Sequence, residues 1–192
     1  MGRYEQIKDK GAIALITGNH DTTRISYGLS EDELKLAYAF FLTMPGNPFI
    51  YYGDEIAMSF RSMASKEGGF TRTGSRTPMQ WSSGENMGFS TAPADQLYLP
   101  VDPAEGAANV EAAEADQNSL LNTVKSLTEL RHSQADLLDK SSLEIISRKP
   151  LVYKRGNLIL AVNPKNTDTQ SRKLAELTDD AKVIYSIAIN GT

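Results

Sequence analysis

The tetrapeptide Gly18-Asn19-His20-Asp21 follows directly on a short apolar run, Ala12 to Thr17. A His and an Asp side by side on a loop can exchange protons, hold a metal or hydrogen-bond a polar ligand. The ordinary alternative is an Asp that caps its own loop beside a His that satisfies backbone groups. From this tetrapeptide alone the ordinary alternative is favoured, because adjacent polar residues are common in loops. The metal option is poorly supplied. The chain has 2 His and no Cys, and the second histidine, His132, lies far along the sequence. A catalytic zinc site takes about three protein ligands, so neither a metal nor a cofactor is expected. Asp54 and Glu55 close a second apolar run. On an extended chain neighbouring side chains point to opposite sides, which makes them a poor carboxylate pair, and Glu55 reads as a loop-tying residue.

Elements must hold these residues in place. Ala12 to Thr17 lacks alternation, as expected of a strand buried on both faces in a parallel sheet. Ser30 and Glu33 form a capping box, followed by Leu34, Ala37, Tyr38, Phe41 and Leu42 at helical spacing, and Pro45-Gly46 stops the helix. Pro48 to Tyr52 reads as a second strand, so the order strand, helix, strand predicts a βαβ unit. A loop at the carboxyl end of the first strand then faces a ligand-binding mouth.

From Ser59 to Glu114 the chain is rich in Gly, Ser, Pro, Asn and Ala with weak periodicity, a length of irregular chain that is usually functional, mobile or both. Asp116 is the expected cap of a further helix carrying Leu120, Leu121, Val124, Leu127 and Leu130. Segments 143–146, 151–154, 158–162 and 183–189 read as strands, with Gly156-Asn157 as a hairpin turn. These last elements predict a small antiparallel module behind an α/β portion.

Composition narrows the function classes. The 192 residues hold 20 basic and 24 acidic side chains, a net charge of −4. No basic excess exists to neutralise a nucleic-acid backbone or an anionic membrane. Without Cys, disulfide scaffolds, iron–sulfur clusters and cysteine nucleophiles are excluded. The first ten residues lack the apolar core of a secretory signal, and Pro45 to Pro48 interrupt the most apolar window, so no spanning helix is expected. The expectation is a cytoplasmic protein without nucleic-acid or membrane partners.

Several motifs, in order, resemble one family. Asn19-His20-Asp21 after a strand is similar to the motif after the seventh barrel strand of the α-amylase family. Met44-Pro45-Gly46-Asn47-Pro48-Phe49-Ile50-Tyr51-Tyr52-Gly53-Asp54-Glu55-Ile56 resembles its eighth strand and approach. Arg76-Thr77-Pro78-Met79-Gln80-Trp81, with Asn86-Met87-Gly88-Phe89-Ser90, resembles the following loop in members acting on short α-glucosides. Leu97 to Val101, Asn109 to Ala112, Ser119-Leu120-Leu121 and Leu130-Arg131 continue the register. The resemblance covers about residues 12 to 135.

What it implies is an α/β fold: the last two βα units of a (β/α)8 barrel in residues 1–138, then an antiparallel β domain in residues 139–192. It also implies a retaining glycoside hydrolase or transglycosylase with an α-glucoside as partner. Such chemistry uses a nucleophilic carboxylate and a protonated carboxyl about 5–5.5 Å apart. By resemblance Asp21 is the family's third carboxylate, which bonds sugar hydroxyls more tightly as the ring flattens. His20 donates to the same sugar, and Asn19 and Arg76 line the pocket. The segments that carry the nucleophile and the acid in the family have no counterpart here, and a barrel of this kind takes roughly 250 residues. The chain is therefore expected to be a carboxy-terminal part, inactive in isolation, with an exposed apolar sheet edge that favours self-association. Two alternatives stand beside the hydrolase: a trehalose-synthase-like glucosyl isomerase, and a non-catalytic carbohydrate-binding or interaction module.

Overall fold

The computed structural model describes residues 2–63, 71–140, 142–164 and 180–187. Packing divides the chain into two compact units. One comprises Met1–Leu15, Lys35–Pro48 and Ser126–Thr192, the other Ile16–Leu34 and Phe49–Lys125. Among the described residues no helix is long and apolar enough to cross a membrane.

After a short helix α1 (Gly2–Ile7), strand β1 (Ala14–Ile16) pairs with β2 (Asn47–Phe49). Asn47 N–H donates to the Ile13 carbonyl at 2.8 Å and Thr17 N–H to the Phe49 carbonyl at 3.2 Å. The register rises along both segments together, so the pair is parallel, and the βαβ unit expected from the sequence forms. Two details differ. The second strand stops at Phe49 because Tyr51 N–H turns to the Thr17 hydroxyl at 3.0 Å, and Asp54 N–H then closes a turn on the Tyr51 carbonyl. Nor is β1 buried on both faces. Ile16 is 56% and Phe49 57% exposed, because among the described residues this sheet has only these two strands.

Helix α2 (Glu31–Thr43) starts with the predicted capping box: Ser30 N–H donates to Glu33 at 2.8 Å and Glu33 N–H to the Ser30 hydroxyl at 3.3 Å. The Ser30 N–H and the Ser30 hydroxyl, which donates to the same oxygen at 3.0 Å, hold the exposed Glu33 carboxyl below its usual value. Leu34, Tyr38 and Leu42, one turn apart, form its buried face. At its far end Arg131 donates to the carbonyls of Leu42, Met44 and Gly46 at 2.5, 3.1 and 2.7 Å, taking up groups that a helix end leaves unpaired.

Among its described residues the long region from Ser59 onward contains 3-10 turns at Thr71–Ser75, Glu85–Gly88 and Ala94–Gln96, and one short helix, α3 (Val110–Ala115). Asn109 caps α3 by accepting from Ala112 N–H at 2.9 Å. Ile56, Met58 and Leu121 form a core cluster, with Met79, Val110 and Ala113 against it. Helix α4 (Leu120–Ser133) is capped by Ser119, which accepts from Asn122 N–H at 3.2 Å, and not by Asp116. Asp116 instead accepts from Asn118 N–H at 2.9 Å, closing the loop that precedes the helix. The apolar stripe of α4 runs through Leu120, Leu121, Val124 and Leu127; Leu130 is half-buried and Arg131 takes the buried place.

Beyond the four-residue helix α5 (Ala135–Leu138), strands β3 (Glu144–Arg148), β4 (Leu151–Arg155) and β5 (Leu158–Val162) form an antiparallel sheet in that order, with an irregularity between Ile145 and Ser147. The β4–β5 hairpin turns at Gly156, whose φ of +56° and contact with Asp136 exclude a side chain: an added Cβ would lie 2.1 Å from Asp136 Oδ1. Arg155, fully buried, donates to the carbonyls of Thr43, Asp136, Leu137 and Asp139. The strand expected over 183–189 is not formed at 183–187, where the backbone has no regular structure. Residues 188–189 lie outside the described set.

Candidate functional site

The loop 18–23 leaves the carboxyl end of β1 and folds on itself. Asp21 N–H donates to Asn19 Oδ1 at 2.7 Å, Asn19 N–H to the Thr22 hydroxyl at 3.1 Å and Thr22 N–H to the Asn19 carbonyl at 3.3 Å. Asn19 thus bends the backbone through its side chain, as short polar side chains do in turns. The bend leaves the side chains of His20 and Asp21 64% and 41% exposed, with His20 Nε2 and Asp21 Oδ2 3.5 Å apart.

Arg76 comes to this loop from a distant part of the sequence. Its Nη2 donates to Asp21 Oδ1 at 3.0 Å and its Nε to the His20 carbonyl at 2.9 Å. A planar guanidinium can hold a carboxylate and a backbone group at once. The Ser75 hydroxyl also donates to the Thr22 carbonyl. The structure therefore gathers Asn19, His20, Asp21 and Arg76 into one cluster. The arrangement offers a carboxylate with accessible oxygen, a histidine beside it and a fixed cation, a set suited to hydrogen-bonding a polyhydroxylated ligand. Among the described residues no group of His, Cys, Asp and Glu side chains is placed to hold a metal ion.

Behind the loop lies a layer that sequence reasoning missed. Arg24 and Asp54 have no exposed side-chain surface and pair at 3.1 Å. Arg24 also donates to the carbonyls of Tyr52 at 2.6 Å and Ser75 at 3.1 Å, and its guanidinium carbon lies 5.4 and 5.1 Å from the ring centroids of Tyr51 and Tyr52. The second oxygen of Asp54 accepts from the Thr17 hydroxyl at 2.8 Å. Burial pushes the Asp54 carboxyl up from its ordinary value, and Thr17 and Arg24 pull against that shift without cancelling it. The Tyr51 hydroxyl is pushed up to about 12, by burial first and then by Tyr52, so it stays protonated.

Asp54 and Glu55 do not lie on an extended chain as expected. They sit in a 3-10 turn, Asp54–Ile56, entered through Gly53 at φ +82°. A Cβ on Gly53 would meet Met58 Sδ at 2.3 Å. Asp54 ties the loop through Thr17 and Arg24, and the Glu55 carboxyl, as the sequence reading expected, bonds local backbone at Gly53 and Glu55. Burial raises the Glu55 carboxyl above its usual value, and its buried Oε2 has no hydrogen-bond partner. The signal available in the sequence was slight: a single cation after a polar loop and a single carboxylate after an apolar run. A cavity of about 330 Å³ lies elsewhere, lined by Glu31, Ile56, Asn109, Asp116, Ser119 and Leu121 among others, and none of the clustered site residues lines it. Its polar groups serve the helices: Glu31 accepts from Leu120 N–H at 2.9 Å, and Asn109 caps α3.

A parallel βαβ unit with a polar cluster at its carboxyl end defines an α/β protein of the barrel or open-sheet kind. The family model for the α-amylase catalytic domain matches residues 2–140. The chain belongs to the α-amylase family. It is 34% identical over 149 residues to maltase A2 of Drosophila melanogaster, a match covering 75% of this chain and 26% of that protein. It is 31% identical over 194 residues to the salivary α-glucosidase of Aedes aegypti, covering 91% and 33%. With the trehalose synthase/amylase of Mycobacterium tuberculosis it shares 36% identity over 144 residues, covering 69% and 23%. Among solved structures, the trehalulose synthase of Pseudomonas mesoacidophila superposes with a TM-score of 0.67 at 21% identity, covering 81% of this chain and 35% of that one. The chain thus spans about a quarter to a third of the length of these relatives.

Proposed function

We propose that the chain supplies one side of the sugar-binding site of a retaining α-glucoside hydrolase acting on short α-glucans or disaccharides. The observation that carries this reading is the clamp of Arg76 on both the Asp21 carboxylate and the His20 carbonyl, at 3.0 and 2.9 Å. In this reading Asp21 accepts hydrogen bonds from two neighbouring hydroxyls of the sugar next to the cleaved bond. Those bonds shorten as the ring flattens and gains positive charge, so they favour the transition state over bound substrate. His20 donates to the same ring, Arg76 fixes the carboxylate, and Asn19 holds the turn that presents it.

Residues 1–138 are read as the last two βα units of the catalytic barrel with their long loop and final helix, and residues 139–192 as the following β domain. The match of the catalytic-domain model to residues 2–140 supports that division. The nucleophile and the acid belong to other strands of the barrel, so the 192-residue chain by itself is inactive. A trehalose-synthase-like isomerase is the second reading, favoured by the similarity to trehalose synthases. The two share the glycosyl-enzyme intermediate and differ in whether water or the retained sugar attacks it.

Assay of the isolated chain with maltose and with a nitrophenyl α-glucoside tests the division of labour. No turnover is expected; turnover abolished by Asp21→Asn overturns it. In the complete enzyme, glucose release from maltose is expected, and trehalose as the main product selects the isomerase. Sedimentation tests a companion expectation: the exposed Ile16 and Phe49 face draws copies together, and a monomer at all concentrations contradicts it.

A further inference from the structure

We propose that Arg24 is a positioning residue for Asp21, acting through the Ser75-Arg76 dipeptide; the proposal rests on the reading of Asp21 as a sugar-binding carboxylate. The hydrogen bonds of Arg24 go to Tyr52, Asp54 and Ser75, and none of them to residues 20–22. It donates to the Ser75 carbonyl at 3.1 Å. From that same dipeptide the Ser75 hydroxyl reaches the Thr22 carbonyl, and the Arg76 guanidinium reaches the His20 carbonyl and Asp21 Oδ1. Each of these ties from residues 75–76 to the loop 20–22 therefore starts from a backbone segment that Arg24 holds.

The other end of Arg24 is anchored to the strand end. Its Nη1 is shared between the Tyr52 carbonyl at 2.6 Å and Asp54 Oδ1 at 3.1 Å, while Asp54 Oδ2 accepts from Thr17 at the end of β1. Thr17 in turn accepts from Tyr51 N–H at 3.0 Å. Residues 17, 24, 51–54 and 75 are thus joined by one buried guanidinium and one buried carboxylate. Arg76 alone, with its side chain 33% exposed, lacks the burial to fix its own backbone; Arg24 is enclosed and supplies that rigidity. The fork matters as well as the charge. A lysine at 24 keeps the cation for Asp54 but cannot reach the strand-end acceptors and the Ser75 carbonyl in two fixed directions.

The test separates positioning from charge neutralisation in the 192-residue chain. Arg24→Lys and the apolar pair Arg24→Met with Asp54→Leu are compared with the unmodified chain by thermal melting and by hydrogen exchange at the Arg76 Nε–H and the Asp21 amide. Removing both members of a buried pair together spares stability, since no charge is left unpaired. The expected result is near-normal melting of the double variant with at least tenfold faster exchange at both reporter positions. Arg24→Lys is expected to show the same loss of protection. Normal protection in a folded variant of either kind overturns the proposal, and if Arg24→Lys does not fold the double variant decides alone. Maltose titration of the unmodified chain and Asp21→Asn, followed at the same amides, tests the underlying reading separately. Identical responses of the two overturn the sugar-binding assignment of Asp21, whatever the exchange rates show.

Discussion

Each unit of the molecule buries arginine, and the two do so differently. In the unit containing Ser126–Thr192, Arg131 and Arg155 donate to main-chain carbonyls: three at the end of α2, and a further set around Thr43 and residues 136–139. Burial lowers the affinity of both for their protons, and for Arg155 the neighbouring charge of Arg131 adds to the effect. In the unit containing Phe49–Lys125, Arg24 faces a carboxylate, Asp54, that is itself wholly buried. Carbonyl-bound arginines end helices and tie loops, and their loss leaves dipoles unpaired. The carboxylate-bound arginine leaves a charge unpaired, which is a larger and pH-dependent penalty.

That difference predicts an order of effects. Arg24→Met is expected to cost about 3–5 kcal/mol, the usual range for breaking a buried ion pair from one side. Without Arg24 the Asp54 carboxyl rises further. The folded state then holds a proton that the unfolded state has already released, so stability falls as pH rises from the ordinary carboxylate value toward the raised one. Urea unfolding at pH 5 and pH 7.5 should find the variant weaker at the higher pH. Arg155→Met is expected to cost less, about 1.5–3 kcal/mol, as loss of hydrogen bonds to a charged donor. Its deficit should be equal at the two pH values. A pH-independent Arg24 variant would erase the distinction between the two units.

Next in size comes the chemistry. In a complete enzyme containing this chain, Asp21→Asn should lower kcat at least roughly tenfold to a hundredfold with little change in KM. His20→Ala should cost less, because a neutral donor does less than a carboxylate for a ring gaining positive charge. Both should melt with the unmodified protein, since an exposed loop carries little buried surface. Equal turnover per folded molecule in Asp21→Asn would leave the cluster a purely structural turn. The smallest effect expected is Ser30→Ala at the start of α2, about 1 kcal/mol by loss of the cap. The Glu33 half of that box carries a pH signature of its own. Its folded value is lowered, so its contribution is complete above the ordinary carboxylate value and is lost as pH falls through the lowered one. Melting of the Ser30→Ala variant at pH 3 and pH 6 should show its deficit shrinking in acid.

Local chemistry was readable from the sequence wherever the responsible groups lie close together in the chain. The Ser30–Glu33 box, the α2 stripe and the β4–β5 hairpin at Gly156 are set by neighbours a few residues apart, and the parallel pair, though it joins residues over 30 apart, was readable from the order strand, helix, strand. The polar tripeptide Asn19-His20-Asp21 stood out for the same reason, although its proposed sugar-binding role came only through resemblance. Arg76 entered only through resemblance, because its approach to Asp21 spans 55 residues of sequence. Arg24 and Asp54 stayed hidden since nothing about a lone Arg or a lone Asp announces a buried partner 30 residues away. The misassigned cap of α4 has a similar cause: Asp116 and Ser119 are both good cap residues, and the helix start beside Ser119 is also met by Glu31, 89 residues earlier, which accepts from Leu120 N–H.

The interleaving of the two units also sets an order of assembly. The unit formed by Ile16–Leu34 and Phe49–Lys125 has its last residue at 125, whereas the other draws on Met1–Leu15, Lys35–Pro48 and Ser126–Thr192. During synthesis from the amino terminus the former can close while the latter still awaits its longest segment, including Arg131 and Arg155. No single cleavage of the backbone releases both units whole, because each unit is built from more than one segment and the segments of the two alternate along the chain. A protease acting at one point therefore breaks one unit or the other.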